Sequence, residues 1–175
     1  YVAKDIHYGV DGTTYKLYHK DEFVTEVRLI VPGRHNVLNS VGAFVAAREM
    51  GIADETILKS LEQFGGAKRR FETKGKVNGV WVVDDYAHHP TEIEVTLKAA
   101  RQTQPKRLLC LFQPHRYTRT QLLFKEFCNC FNDCDEVILT DIYAASENPI
   151  PGITSEALAE GISKATGKAV TYIAK

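Results

Sequence analysis

The sequence predicts an α/β protein with a mainly parallel sheet and helices on both faces. Across residues 70–175, short apolar segments alternate with helical ones, which is the pattern of repeated β-α-β units. The segments 107–112 and 136–141 are apolar over most of their length, as expected for strands that are covered on both sides. Residues 1–69 differ, because three β-type segments come first and two helices follow.

The three β-type segments are predicted to form a small antiparallel sheet. They are rich in Val, Ile, Tyr and Thr, the residues that favour strands. Asp11-Gly12 is a turn signal between the first two segments. The segments span residues 1–8, 13–19 and 23–30.

The two helices are predicted from apolar periodicity. Apolar residues recur at helical spacing from residue 35 to 49, and Gly51 is placed to end this first helix. Asp54 is the predicted N-cap of the second helix. Its expected buried face consists of Ile57, Leu58, Leu61 and Phe64.

A boundary between two domains is predicted between residues 69 and 70. Gly65-Gly66 breaks the helical pattern, and the basic run 68–70 follows directly. The predicted domains are therefore residues 1–69 and residues 70–175.

The second domain is predicted to begin with a hairpin and to continue with alternating helices and strands. Asn78-Gly79 is a strong hairpin signal, because both central positions of a type I′ turn need a positive φ. Thr154 or Ser155 is expected to cap the last helix. The predicted strands span residues 71–77, 80–84, 107–112, 136–141 and 169–173, and the first two helices span 91–101 and 120–132.

Composition argues against several classes of partner. Lys+Arg and Asp+Glu both number 22, so no net charge would attract the chain to nucleic acid or to an anionic membrane. No stretch approaches the roughly 18 apolar residues that a membrane-spanning helix needs, and the first residues lack the pattern of a signal peptide. We therefore expect a cytoplasmic protein, with neither nucleic acid nor membrane as a partner.

The four cysteines are Cys110, Cys128, Cys130 and Cys134. Cys128 shares an i, i+3, i+4, i+7 stripe with three phenylalanines, so it is predicted to lie in the core. A metal site is the weaker alternative, because the spacing matches no standard zinc pattern and no histidine lies beside the cluster. No metal-binding residue is predicted.

Reactive side chains are concentrated just after three of the predicted strands. The carboxyl ends of parallel strands share one edge of a sheet, where ligands usually bind in open α/β folds. Residues far apart in sequence would therefore meet in space. The three groups are Tyr86, His88 and His89; Gln113, His115, Arg116 and Arg119; and Tyr143, Ser146 and Glu147.

The histidine and arginine groups also have structural alternatives. His88-His89-Pro90 could cap the following helix, and adjacent histidines on a loop make a poor metal pair. Arg116 and Arg119 stand three residues apart at the start of a helix, a pattern that favours an anionic substrate group. The alternative for these two arginines is a solvated basic surface.

Polar residues suited to a nucleotide have alternatives as well. Asn36 and Asn39 lie three apart on one helix face, where they could bond the edge of a purine or cap the helix. Arg70 is either a phosphate ligand or a solvated cation. Asp84 and Asp85, at a strand end, could bind ribose hydroxyls or a cation, or solvate the turn.

Four segments resemble the ordered signatures of the Mur ligase family. They are residues 33–39 (GRHNVLN), 69–72 (RRFE), 84–92 (DDYAHHPTE) and 112–120 (FQPHRYTRT). The likeness runs over the whole chain, and the two longer segments are the most specific. A branch of the family that recycles murein peptides has a similar Asp-Tyr/Phe-Ala-His-His-Pro segment but not the Gln-Pro-His-Arg-Tyr-Thr-Arg run. This run therefore favours the branch that uses L-alanine.

The resemblance implies a protein of three domains: one for a UDP-sugar, a central ATPase domain and a carboxyl-terminal Rossmann-like domain. Residues 1–69 would be the tail of the central domain, and residues 70–175 most of the third. No Gly-x-x-x-x-Gly-Lys-Ser/Thr loop occurs in the sequence. We therefore expect the chain to be part of a longer enzyme and to have no ligase activity alone.

The resemblance also implies an ATP-dependent ligase that joins UDP-N-acetylmuramate to L-alanine. This amide bond belongs to peptidoglycan synthesis, and thereby to cell-wall biogenesis, cell shape, the cell cycle and cell division. ATP would phosphorylate the muramoyl carboxylate, and the amine of L-alanine would attack the acyl-phosphate. The implied cofactors are ATP and Mg²⁺, with the metal ligands mostly outside this chain, and positioned cations would stabilise the charge that builds on oxygen.

The same resemblance assigns nucleotide contacts to four residues. Asn36 and Asn39 match positions that contact adenine. Arg70 matches a position near the ATP phosphates, and Asp85 one near the ribose.

The amino-acid site is implied at Tyr86, His88, His115, Arg116 and Arg119. Arg116 and Arg119 are the candidates for holding the alanine carboxylate and the developing phosphate charge. His88 is the candidate for orienting or deprotonating the amine, since an imidazole has a suitable pKa. Residues 143–147 (YAASE) depart from the Ala-Gly-Glu that the resemblance leads us to expect.

Three other functions fit the sequence less well. A nucleotide-sensing Rossmann module without catalysis would be expected to carry a glycine fingerprint, which is missing. A metal-dependent hydrolase would use His88, His89, His115 and Asp85. A pure scaffold gives no reason for arginines and histidines to gather at one sheet edge.

Overall fold

The computed structural model of the chain describes residues 1–9 and 11–174. These residues form two compact units. The first comprises Tyr1–Tyr86 with Gln102–Gln104, and the second comprises Ala87–Arg101 with Pro105–Lys175. The predicted α/β class is confirmed, because the second unit contains a parallel sheet with helices packed on it.

The first unit begins with an antiparallel sheet, as predicted. Its strands are β1 (Val2–Gly9), β2 (Gly12–His19) and β3 (Glu22–Leu29), and β2 lies in the middle. Alternate residues of β2 and β3 point into the core, since one face of such a sheet is covered. The fully buried apolar members of this face are Tyr15, Leu17, Val27 and Leu29.

Two helices, α1 (Arg34–Glu49) and α2 (Asp54–Gln63), complete the core of the first unit. The predicted N-cap of α2 was wrong: Ala53 occupies that position, and Asp54 instead forms an ion pair with Arg48 at 3.2 Å. The predicted burial of Phe64 was also wrong. Phe64 follows the last residue of α2 with extended backbone and is 52% exposed, because it no longer shares the helix face.

The predicted hairpin is confirmed, but its place in the sheet is not. β4 (Glu72–Val77) and β5 (Val80–Asp84) are joined by Asn78 and Gly79, which both have positive φ, 51° and 79°. We expected the strand at residues 80–84 to belong to the parallel sheet. It pairs instead with β4 in a separate two-stranded antiparallel sheet, because a two-residue turn brings the two strands together in that direction.

The second unit is built on a three-stranded parallel sheet in the order β6-β7-β8. Thr154 caps the last helix by accepting from the Ala157 N–H at 3.1 Å, as predicted. The strands are β6 (Leu109–Phe112), β7 (Glu136–Thr140) and β8 (Val170–Ile173). The helices are α3 (Pro90–Gln102), α4 (Tyr117–Leu122), α5 (Phe124–Asn129) and α6 (Ser155–Thr166).

Two details of the second unit differ from the prediction. The single helix expected at residues 120–132 is divided into α4 and α5, because Leu123 has φ −114° and ψ 23°, outside the helical region. The prediction that the strand at residues 107–112 is covered on both sides was also wrong. Leu109 and Leu111 of β6 are exposed, whereas Val137 and Leu139 of β7 are fully buried.

The cysteines lie in the core of the second unit, as predicted for Cys128. All four are free thiols. Burial raises the pKa of each thiol, to about 12 for Cys110. They therefore act as small apolar side chains and not as reactive thiolates.

Candidate active site

Residues from all three predicted groups meet in the second unit. The rings of His88 and His115 lie with their centroids 6.4 Å apart. The ring of Tyr143 stacks on His115, with 5.3 Å between centroids and 30° between planes. The backbone follows the same path, since His115 and Tyr143 form a parallel bridge. The loops after β6 and β7 thus converge beside the loop that precedes α3.

The His88-His89 loop is fixed by the helix that follows it. The His89 Nδ1 accepts from the Thr91 N–H at 3.3 Å, while the Glu92 carboxylate accepts from the N–H of His88 at 3.0 Å and of His89 at 3.2 Å. This is a capping box, in which the helix and the preceding loop satisfy each other's donors. The capping alternative is therefore confirmed for His89. The His88 Nδ1 lies 3.6 Å from the Glu92 carboxylate.

Arg116 has an unusual backbone held by bonds on both sides. Its φ is 73°, in the left-handed region that disfavours side chains. Its N–H donates to the Tyr143 carbonyl at 2.8 Å, and its own carbonyl accepts from the Thr120 N–H and hydroxyl. Such a conformation persists only where the surroundings hold it. The guanidinium is thereby attached to a fixed point of the loop.

Arg119 lies in the first turn of α4 and contacts the imidazole of His115. Its Nη1 is 3.4 Å from the His115 Nδ1. Among residues 1–9 and 11–174, no carboxylate lies within 4.0 Å of the guanidinium of Arg116 or of Arg119. Two positive charges without a bound carboxylate, next to two imidazoles, make a site suited to an anion.

The pKa of His115 is lowered from its usual value, which favours the neutral imidazole at neutral pH. Burial is the main cause that lowers its pKa, and the nearby charges of Arg119, Arg116 and His88 lower it further. The carboxylate of Glu147 acts in the opposite direction. A neutral imidazole beside two guanidiniums adds no positive charge and can accept or donate one proton.

The nucleotide candidates lie in the first unit, with Arg70 and Asp85 at the base of the hairpin and the two asparagines on α1. The Asp85 carboxylate accepts from the Phe71 N–H at 2.8 Å, and the Tyr86 N–H donates to the Arg69 carbonyl at 2.8 Å. The Tyr86 ring lies 4.6 Å from the guanidinium carbon of Arg69 and 6.0 Å from that of Arg70. Asp85, Tyr86 and Arg70 are thus brought together. Tyr86 belongs to this unit, whereas the other amino-acid candidates belong to the second.

Asn36 and Asn39 lie on α1, and neither caps it. The N-cap is Gly33, with no side-chain bond, so the capping alternative was wrong. Asn36 donates instead from its Nδ2 to the Pro32 carbonyl at 2.7 Å. Asn39 is exposed. The two residues keep their spacing of three on one helix, as the sequence indicates.

The family described as "Mur ligase, glutamate ligase domain" matches residues 69–175 of this chain. The chain belongs to the Mur ligase family. A protein of Syntrophus aciditrophicus (strain SB) named UDP-N-acetylmuramate–L-alanine ligase is 49% identical over 173 residues, which are 99% of this chain and 36% of that protein.

Two solved ligase structures are similar to nearly the whole chain. The UDP-N-acetylmuramate-alanine ligase MurC of Thermotoga maritima is 26% identical with a TM-score of 0.84, over 99% of this chain and 37% of that one. A murein peptide ligase of Psychrobacter arcticus 273-4 is also 26% identical, with a TM-score of 0.55 over 99% of this chain and 36% of that one. The chain spans little more than a third of the length of these relatives.

His35, which the sequence did not single out, lies near two of the nucleotide candidates of the first unit in this Mur ligase chain. Burial is the main cause that lowers the pKa of His35, and the charges of Asp85 and Arg70 both act on its imidazole. Its Nδ1 is buried without a hydrogen-bond partner among the described residues. His35 therefore belongs with Asp85 and Arg70. The available signal was its place directly before Asn36 in the family segment 33–39.

Glu147 was grouped with the site in the sequence but was given no role. Its carboxylate accepts from the Thr118 N–H at 3.0 Å and from the Thr118 hydroxyl at 2.7 Å. Ala145 and Ser146, directly before it, both have left-handed φ, 49° and 70°. The Ser146 position is the one where the family resemblance leads us to expect glycine.

The described part of the chain offers no metal centre and no membrane span. Among residues 1–9 and 11–174, no three His, Cys, Asp or Glu side chains are grouped so as to hold a metal ion. Within the same residues, every helix is too short or too polar to cross a bilayer.

Proposed function

We propose that this chain is part of an ATP-dependent ligase that joins L-alanine to UDP-N-acetylmuramate in peptidoglycan synthesis. The observation that carries the proposal is the cluster in the second unit. There, Arg116 and Arg119 stand without a bound carboxylate beside the paired imidazoles of His88 and His115. The name of the 49% identical relative supports the choice of substrates.

The chemistry of amide formation calls for this combination of groups. An acyl-phosphate is attacked by the neutral amine of L-alanine, the C–N bond forms, and the C–O bond to phosphate breaks. Negative charge stays on oxygen throughout, so fixed cations lower the barrier. We assign Arg116 and Arg119 to the alanine carboxylate and to the phosphate charge.

The histidines have supporting roles in the proposal. His88 orients the amine or takes its proton, since its imidazole is fixed near Glu92 and faces His115. His115 remains neutral and holds Arg119 in place through their contact. Tyr86 is proposed as a further L-alanine-binding residue on the family resemblance alone.

The first unit is proposed to contact ATP. Asn36 and Asn39 would meet adenine, Arg70 the phosphates and Asp85 the ribose. The assignment is supported by His35, directly before Asn36 on α1, because the charges of Asp85 and Arg70 both act on its pKa. Mg²⁺ would accompany ATP with most of its ligands outside these residues, since residues 1–9 and 11–174 contain no group that fits a metal.

We propose the remaining properties from the same family membership. Residues 1–69 form the tail of a central ATP-binding domain, and residues 70–175 most of a Rossmann-like ligase domain. The family match, which begins at residue 69, supports this boundary. The enzyme would act in the cytoplasm and serve cell shape and cell division. This chain alone would be inactive, because its sequence has no Gly-x-x-x-x-Gly-Lys-Ser/Thr loop.

The decisive experiment replaces Arg116 in the complete ligase, meaning the longer protein in which we place this chain. Arg116→Ala is expected to lower kcat/KM for L-alanine-dependent phosphate release by about 100-fold or more, as for the loss of one positioned charge. Arg107→Ala is the matched control, because Arg107 is exposed and pairs with Glu136 at the surface. An unchanged rate for Arg116→Ala would remove the site assignment.

The same assay tests the recycling branch of the family as the alternative. A murein peptide is offered in place of L-alanine, with UDP-N-acetylmuramate and ATP unchanged. Turnover with L-alanine alone supports the proposal. Faster turnover with the peptide would assign the chain to the recycling branch.

A further inference from the structure

We propose that Glu147 is a positioning residue, whose carboxylate fixes the start of α4 and thereby sets the direction of the Arg116 and Arg119 side chains. The inference rests on the proposed function, because it names the device that holds the two arginines of that site. Glu147 itself contacts neither guanidinium within ion-pair distance.

The carboxylate of Glu147 is bound to Thr118 by two hydrogen bonds. Both of its oxygens are directed at one residue: Oε2 accepts from the Thr118 N–H at 3.0 Å, and Oε1 accepts from the Thr118 hydroxyl at 2.7 Å. Thr118 stands between Arg116 and Arg119 in the sequence. A displacement of Thr118 would therefore move both guanidiniums together.

The loop that carries Glu147, residues 143–147, holds the segment with the two arginines, residues 114–119, at two points. At its other end, the Tyr143 N–H donates to the Pro114 carbonyl at 2.8 Å, and the Tyr143 carbonyl accepts from the Arg116 N–H at 2.8 Å. The segment that carries the arginines is thus bound at Arg116 by backbone and at Thr118 by the carboxylate. Two attachment points fix a direction, which one point does not.

The turn directly before Glu147 has an uncommon backbone conformation. Ala145 and Ser146 are both left-handed, a costly arrangement for two successive residues with side chains. The turn is closed by the Glu147 N–H, which donates to the Ala144 carbonyl at 3.0 Å. Strain of this kind is typical of functional loops.

Glu147 forms these bonds as an ionised carboxylate. The two bonds from Thr118 are the largest causes that lower the pKa of Glu147, so the carboxylate stays ionised at neutral pH. The charge of Arg116 lowers this pKa as well, but in the described part of the chain the carboxylate forms no ion pair within 4.0 Å with either guanidinium. The arginines remain available to an anionic substrate.

The experiment uses the complete ligase and measures KM for L-alanine, KM for ATP, kcat and Tm. Glu147→Ala is expected to raise KM for L-alanine by about tenfold, because misplaced cations bind the carboxylate poorly, while KM for ATP stays within about twofold. Glu147→Gln should be intermediate, since an amide oxygen can still accept one bond from Thr118. Glu160→Ala, an exposed glutamate of α6, is the control for loss of one negative charge.

Variants of Thr118 test the same bonds from the other side. Thr118→Ser keeps the hydroxyl and should behave as wild type, whereas Thr118→Val should raise KM for L-alanine. If Glu147→Ala does not fold, the contrast between these two variants carries the test. In an Arg116→Ala background, the effect of Glu147→Ala should be smaller than in the wild type, because it acts through the arginines.

The outcomes separate this inference from the proposed function. If Arg116→Ala impairs alanine-dependent turnover but Glu147→Ala changes only Tm, Glu147 merely stabilises the loop and the positioning role is wrong. If KM for ATP rises as much as KM for L-alanine, the role is also wrong. If Arg116→Ala itself has no effect, the proposed site fails first.

Discussion

The Nδ1 of His115 lies 3.4 Å from the Nη1 of Arg119, four residues further along the chain. A guanidinium can only donate, so this Nδ1 acts as the acceptor and the neutral ring carries its proton on Nε2. Protonation of Nδ1 would place a second cation against Arg119. The contact therefore links the charge state of the imidazole to the position of the arginine.

The first prediction is that Arg119→Met raises the pKa of His115. Burial lowers this pKa most, and Arg119 is the largest of the neighbouring charges that lower it, so its removal shifts the pKa back towards 6.5. The measurement is NMR titration of the His115 ring protons. Arg119→Lys is the control, because it retains a positive charge. An unchanged or lower pKa in Arg119→Met would contradict the geometry.

The lowered pKa of His115 also makes the stability of the fold depend on pH. The folded pKa of His115 lies below the unfolded one, so the unfolded chain binds more protons as the pH falls through about 6.5. Protonation of His115 therefore favours unfolding, and its contribution weakens the fold on the acid side of neutrality. His35, whose pKa is also lowered by burial, acts in the same direction.

The second prediction separates two asparagines that the sequence treats alike. Asn36 donates to the Pro32 carbonyl at 2.7 Å, whereas Asn39 is exposed and has no role in the cap of α1. Asn36→Ala should lower the unfolding free energy by about 1 kcal/mol, the net worth of a typical hydrogen bond. Asn39→Ala should stay within about 0.5 kcal/mol, as for a surface substitution.

Both variants are expected to raise KM for ATP in the complete ligase, since both are assigned to adenine. The measurements are denaturant unfolding of this chain and initial rates in the ligase. Arg34→Ala is a control at the same helix end, because Arg34 is exposed. An Asn39 variant with unchanged KM for ATP would remove that residue from the nucleotide site.

Local patterns allowed most of the secondary structure to be predicted. The turn at Asn78-Gly79 depends on two residues only, and both have the positive φ that was expected. The N-cap at Thr154 is equally local. The stripe that contains Cys128 also lies on a buried face. Such features are encoded within a few residues, so one sequence is enough to find them.

The errors arose where two local rules competed or where partners were distant. A strand at residues 80–84 could join the parallel sheet or remain in its hairpin, and the short turn favoured the hairpin. The exposure of Leu111 depends on which elements cover β6, which its own apolar sequence does not specify.

The site was predicted to the extent that it follows from the parallel sheet. The ends of β6 and β7 meet because the strands are adjacent, and this brings His115 to Tyr143. The bonds between Glu147 and Thr118 join residues 29 apart, and the sequence offers no periodicity that pairs them. The surroundings of His35 likewise depend on how α1 meets the hairpin base.

The third prediction concerns two glycines that lie inside helices but differ in the room around them. A Cβ on Gly161 of α6 would lie 2.5 Å from the Cys128 Sγ and 3.3 Å from the Phe124 ring. At Gly42 of α1, apart from the adjacent residues and the backbone of the same helix, no atom of the described residues lies within 4 Å of such a Cβ. In an open helix position, Gly→Ala stabilises by roughly 0.5–1 kcal/mol, whereas overpacking costs roughly 1–3 kcal/mol.

Gly42→Ala should therefore raise the unfolding free energy of the first unit, and Gly161→Ala should lower that of the second. Trp81, the sole tryptophan, reports on the first unit by fluorescence, and hydrogen exchange of the α6 amides reports on the second. Cys128→Ala removes the Sγ that clashes, so Gly161→Ala should cost less stability in that variant than in the wild type, with the Phe124 contact remaining. If Gly161→Ala is as harmful with Cys128→Ala as without it, the thiol is not the obstacle and the packing of α6 on α5 differs from this structure.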